Sequence, residues 1–197
     1  MLTSGYINYH SCATAKERRY CGAWLAAEEA LSDDFFSWEL VLTLEADLLT
    51  RPERNYLELL TRYLMMVRDL SEAEFANAFR DSIRFMTLPE LQDSYWQAFE
   101  RNPGSSLRVG RPRLPLARHF DEIIAAMKAG PMSEMPEGIA EDHLVIMLRV
   151  MSRSNAASGE DMAQFALPAV SRIVSNMDQA NPFRFLVQAV EQTLTPR

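Results

Sequence analysis

The stretch Met135-Pro-Glu-Gly-Ile-Ala-Glu-Asp-His-Leu-Val-Ile-Met-Leu-Arg-Val-Met151 decides the fold class. A loop broken by proline and glycine runs into two acids and a histidine, and then into a run from Leu144 to Met151 in which only Arg149 is polar. A surface helix carries a single apolar stripe, so a segment that is apolar nearly all round belongs inside a bundle of other helices. The first turn of this buried helix is expected to hold Glu141, Asp142 and His143. Acids there satisfy unpaired N–H groups and meet the partial positive charge of a helix start, so capping is the plain reading of Glu141 and Asp142. His143, at the edge of an apolar face, reads first as a hydrogen-bonded boundary residue and second as a ligand or base.

Helical spacing recurs on both sides of that stretch. A helix over about 116–128 puts Phe120, Ile123, Ile124 and Met127 on one face and ends at Ala129-Gly130-Pro131. The loop at 129–140 is read as a hinge. Earlier helices are expected at about 14–31, 35–49 and 53–67, the last with Tyr56, Leu60, Tyr63, Leu64 and Val67 at helical spacing after Pro52. Ser71-Glu-Ala-Glu74 reads as a capping box, opening a helix with Phe75, Phe79, Ile83 and Met86 in one stripe and closed by Leu88-Pro89. Next come Tyr95, Trp96 and Phe99, and core packing accounts for at least two of these rings. Residues 152–159 are read as a break, with helices over 161–177 and toward Leu194 after Asn181-Pro182-Phe183. The fold class is therefore all-α: a single helical bundle over 35–197, preceded by an N-terminal arm and first helix at 1–34.

Bulk properties exclude several functions. With 197 residues and 48% apolar content the chain can bury one substantial core. A net charge of −7 counts against nonspecific nucleic-acid binding, which rests on neutralising phosphates. No run of eighteen apolar residues is present, so no stable membrane insertion is expected. Cys12 and Cys21 form neither a Cys-x-x-Cys motif nor a disulfide framework, which suits a reduced, cytoplasmic protein. Together with His10 they match no zinc pattern, and neither metal nor cofactor is expected. Three histidines without Gly-x-Ser-x-Gly or His-Glu-x-x-His offer no catalytic set, so the chain is not read as an enzyme. Arg18-Arg19 ahead of an apolar stretch looks like a twin-arginine export signal, but Glu28 and Glu29 interrupt that stretch after eight residues, and the arginines are read as an exposed helix start.

One local anomaly stands out in this acidic chain. Arg101, Arg108, Arg111 and Arg113 crowd an irregular Pro/Gly stretch that runs to Pro115. Guanidinium forks match phosphate oxygens, so a phosphate-bearing ligand is one reading. No phosphate-binding loop of the Gly-x-x-x-x-Gly-Lys-Ser/Thr type is present, and a solvated loop is the favoured one.

Several of these segments resemble, in the same order, the TorD/DmsD/NarJ family of molybdoenzyme maturation chaperones. The resemblance is carried by Pro136-x-x-x-x-Glu141-Asp142-His143-Leu144, by Leu48-Leu49 with Pro52 and Leu57-x-Leu59-Leu60, and by Tyr95-Trp96-Gln-Ala98-Phe99. It continues in Phe165-x-Leu167-Pro168 and Asn181-Pro182-Phe183. Ala98 stands where the family has leucine, Ala169 where tryptophan is common, and residues 103–115 do not match, which marks a divergent member. The resemblance implies a cytoplasmic chaperone that binds the N-terminal segment of a molybdenum oxidoreductase catalytic subunit, whether or not that segment is a twin-arginine signal. It would hold this partner until its cofactor is inserted and block premature export. Glu141, Asp142 and His143 would form the partner-peptide site, with Tyr95, Trp96 and Phe99 bordering the groove, in a monomer or a domain-swapped homodimer. The alternative of a different class is a helical scaffold unrelated to metalloenzymes, in which residues 141–143 merely start a helix.

Overall fold

The run from Leu144 to Met151 is helical and lies at the centre of the bundle. The computed structural model describes residues 38–130, 135–136 and 138–196. The expected arm and first helix, with His10, Cys12, Cys21 and Arg18-Arg19, lie outside the described residues, as do 131–134 and 137 of the expected hinge. In chain order the helices are α1 (Trp38–Leu48), α2 (Tyr56–Val67), α3 (Ala73–Ile83), α4 (Leu88–Tyr95), α5 (Leu116–Ala129), α6 (Leu144–Met151), α7 (Ala156–Asn176) and α8 (Phe183–Leu194). Among the described residues no β-strand occurs, only one isolated antiparallel bridge between Arg108 and His143. The fold is all-α.

Every residue of α6 except Arg149 is buried, because α1, α5 and α7 all pack on it. Arg149 reaches Asp47 on α1, with Nη2 2.5 Å from Oδ1. On the other side of the bundle α8 lies against both α3 and α7. Phe183 at its start sits among Tyr56, Phe79, Tyr95 and Phe99, with ring centroids 5.3–6.4 Å apart. Edge-to-face and tilted contacts of this kind add to the burial of large apolar rings. The Tyr56 and Tyr95 hydroxyls donate to the carbonyls of Leu48 and Leu49, so the polar ends of these two rings tie α1 to the core.

Several boundaries differ from those expected. Ser71 does not cap α3: its hydroxyl donates to the buried Glu72 carboxylate at 3.1 Å, and Glu72 is the N-cap residue without a side-chain cap bond. The capping box forms instead at Thr87 and Glu90, so Leu88-Pro89 opens α4 rather than closing the helix before it. Pro89 is acceptable there because first-turn N–H groups have no helical partner to lose. Gly159 falls inside α7, which begins after the Asn155 cap. After Tyr95 the helix widens to a π-turn over Trp96–Glu100, closed by Arg101 N–H donating to Trp96 O at 2.9 Å. That widening leaves Tyr95 and Phe99 in the core and Trp96 at the surface, 45% exposed.

Candidate functional site

Glu141 and Asp142 are not in the first turn of α6. The helix starts one residue later than His143, and His143 is its cap: Nδ1 accepts from Val145 N–H at 3.2 Å, and its carbonyl accepts from Ile146 and Met147. The capping reading of the two acids is corrected accordingly. Burial lowers the His143 pKa to about 4, with the nearby Asp142 carboxylate opposing and Arg108 reinforcing the shift. The neutral ring is the form that accepts at Nδ1.

The two acids are held by the arginine-rich loop. Arg108 Nη1 lies 3.1 and 3.0 Å from the Asp142 carboxylate oxygens. Arg111 Nη2 lies 2.5 Å from Asp121 and 3.1 Å from Glu141, and Lys128 Nζ is 2.5 Å from the other Glu141 oxygen. This partner set, led by the Lys128 hydrogen bond, lowers the Glu141 pKa. The backbone clamps the same two segments together. Val109 and Gly110 N–H both donate to Asp142 O at 2.9 and 3.2 Å, and Leu144 N–H donates to Leu107 O at 2.7 Å. Gly110 has φ +89°, a conformation that side-chain-bearing residues rarely adopt, and it turns the chain so that both amides reach one carbonyl. Leu107 is fully buried beneath this clasp.

Arg108 and Arg111 are exposed, as expected of a solvated loop, and the structure adds that both are ion-paired to acids of distant segments. The signal was visible as an arginine cluster in an acidic chain, but its partners lie ten to thirty-four positions further along. Arg101 stands over the Trp96 ring, 5.7 Å from its centroid, a cation–π arrangement at the exposed end of α4. The loop then tracks α7: Asn102 and Gly104 exchange hydrogen bonds with Asn176, and Arg172 donates to Arg108 O. Of the six residues singled out, Glu141, Asp142 and His143 are adjacent and partly exposed, Trp96 is exposed elsewhere on the surface, and Tyr95 and Phe99 are buried against Phe183.

A second polar cluster was not foreseen. Glu45 on α1 is completely buried, and its Oε1 accepts from Tyr63 at 2.8 Å and lies 2.6 Å from the Thr193 hydroxyl. Thr193 also lies 3.2 Å from Glu72, which is equally buried. Burial raises the Glu45 pKa to about 8, partly offset by the Thr193 and Tyr63 hydrogen bonds and reinforced by Glu72. In sequence Glu45 looks like a surface acid. Its position inside Val41-Leu-Thr-Leu-Glu-Ala-Asp-Leu-Leu49, apolar on most sides, was the available signal.

Among the described residues no group of three or more His, Cys, Asp or Glu side chains is arranged to hold a metal ion. Among the same residues no helix is long and apolar enough to cross a membrane. What the 108–111/141–142 arrangement offers chemically is partly exposed carboxylate acceptors, each paired with a more exposed cation. No protein-family model matches the chain, and no curated protein matches it.

Proposed function

We propose that this protein is a cytoplasmic maturation chaperone that binds the N-terminal segment of a molybdopterin oxidoreductase subunit. Two things support the reading: the ordered resemblance of the motifs around Glu141-Asp142-His143, and an all-α fold of the kind that resemblance implies. The observation that carries the binding role is the partial exposure of Glu141 and Asp142, whose own cations lie on the solvent side. Carboxylates in that setting accept charge-assisted hydrogen bonds from the arginines or lysines of a basic segment. Trp96 and Arg101 offer an exposed surface for apolar or aromatic residues at a separate place on the bundle, while Tyr95 and Phe99 serve the core beneath Trp96. No bond is made or broken in such a role.

The second reading, a helical scaffold unrelated to metalloenzymes, is favoured by one specific observation. The ion pairs to Arg108, Arg111 and Lys128 already give Glu141 and Asp142 a structural use, as a clasp between the loop and the start of α6. Purification of the tagged protein from its source cell separates the two. A molybdopterin oxidoreductase subunit recovered with it, and lost when that subunit's N-terminal segment is deleted, is the expected result. Recovery of the subunit irrespective of that segment, or of unrelated partners alone, refutes the chaperone role.

A further inference from the structure

The segment Leu107-Arg108-Val109-Gly110-Arg111 is seated on the chain in the way an extended peptide ligand would be. It pairs through an antiparallel bridge, Arg108 with His143, and through three backbone hydrogen bonds to Asp142 and Leu144. Addition of an extended segment through backbone bonds, with side chains supplying specificity, is a recurring mode of peptide recognition. Here the specificity side chains are the two guanidinium groups that cover the acids.

We propose that Arg108 and Arg111 are an internal occupant of the Glu141–Asp142 site, and that an arginine-bearing segment of a partner binds by taking their places on these carboxylates. The inference rests on the reading of the two acids as partner-binding groups.

Three features make the exchange physically cheap. The guanidinium side chains are exposed, Arg108 at 64% and Arg111 at 52%, and exposed ion pairs contribute little to stability. The loop is anchored by its backbone and by buried Leu107, so a side chain can swing away without releasing the chain. Arg111 also has a second seat, because Asp121 retains it when Glu141 is given up. The charge balance explains why displacement matters. Three acids, Asp121, Glu141 and Asp142, pair with three bases, Arg108, Arg111 and Lys128, and Arg172 adds a further cation at the Arg108 carbonyl, so the closed cluster has no net negative charge and offers a cation little attraction. Turning Arg108 and Arg111 outward exposes the acids to an incoming pair of guanidinium groups.

The test uses the full chain and a synthetic peptide with two arginines ahead of an apolar run, titrated by calorimetry. Arg108→Gln/Arg111→Gln should bind this peptide about fivefold or more tightly than the native protein, the gain expected when two weak surface pairs no longer compete. Arg108→Lys/Arg111→Lys should bind like the native protein, because the competing charges remain. Adding Glu141→Gln/Asp142→Asn to the glutamine variant should abolish the gain. An unchanged or weaker affinity in the glutamine variant, while native binding still depends on the acids, overturns the inference alone. Native binding that does not depend on the acids, or no binding by any variant, overturns the partner-binding reading together with it. Thermal melts of each variant identify any effect that comes from loss of fold.

Discussion

Replacing Glu45 by glutamine removes the one buried acid whose ionisation the fold resists most visibly. Its carboxyl is shielded from water, and Oε2 has no hydrogen-bond partner. The Thr193 hydroxyl has one proton, yet it lies within reach of Glu45, Glu72 and the Ala189 carbonyl. A proton on Glu45 resolves that conflict, since the acid then donates to Thr193 and Thr193 donates onward. The folded pKa is raised from 4.5 to about 8, so the native state holds this proton more tightly than the unfolded chain. The stability it confers is fully present below the unfolded pKa and is lost as pH rises toward the folded one, at about 1.4 kcal/mol per pH unit in between. Over the whole window the loss is on the order of 5 kcal/mol, and between pH 5 and 8 it is about 3 kcal/mol. Glutamine keeps an acceptor for Tyr63 and cannot ionise. From pH 5 to 8 the stability of Glu45→Gln relative to the native protein should therefore rise by about 3 kcal/mol, on top of the pH dependence of other groups that both proteins share, measured by urea denaturation followed by circular dichroism. Two curves that run parallel would refute the assignment of this pH dependence to Glu45.

Other positions have distinct expectations. Phe183→Ala should cost about 3–5 kcal/mol in the same denaturation assay, because it removes the ring that four aromatic neighbours pack against, whereas Phe183→Leu should cost markedly less. Burial raises the Asp47 pKa despite the Arg149 guanidinium, so desolvation outweighs attraction in this pair. Asp47→Leu with Arg149→Met should then be tolerated, while Asp47→Leu alone should cost more than the double variant, because it takes the Asp47 carboxylate from a largely buried guanidinium. His143→Ala should cost about 1 kcal/mol at neutral pH through loss of the α6 cap. Because the His143 pKa is lowered to about 4 from 6.5, its contribution is present above 6.5 and declines as pH falls through that interval, and nuclear magnetic resonance titration should find the ring neutral at pH 6.

The parts legible in the sequence are those set by local pattern. α6 could be located because an apolar run with one arginine has nowhere to go but inside, and the stripes of α2, α3 and α5 follow helical spacing. The burial of two of the three rings at 95–99 follows from the same reasoning, although the π-turn that turns Trp96 outward leaves no sequence signature. Partnerships between distant segments were not legible. Arg108 and Asp142 are thirty-four residues apart, and Glu45 and Thr193 one hundred and forty-eight, so no periodicity links them. The exact start of α6 was missed because acids usually favour a first turn, whereas here backbone bonds from the 107–110 loop hold Asp142 outside it and His143 takes the cap.

The central claim, that Glu141 and Asp142 receive basic groups of a partner, is tested most directly by Asp142→Asn. Asp142 does not cap α6, its backbone contacts are independent of its side chain, and its ion pair with Arg108 is exposed, so the melting temperature should hardly change. Calorimetric titration with the N-terminal peptide of the oxidoreductase subunit that the proposed function expects to co-purify should show affinity reduced by about 1.5–3 kcal/mol, the scale of a charge-assisted hydrogen bond. An unchanged affinity beside an unchanged melt would contradict the claim and leave the motif as a structural clasp.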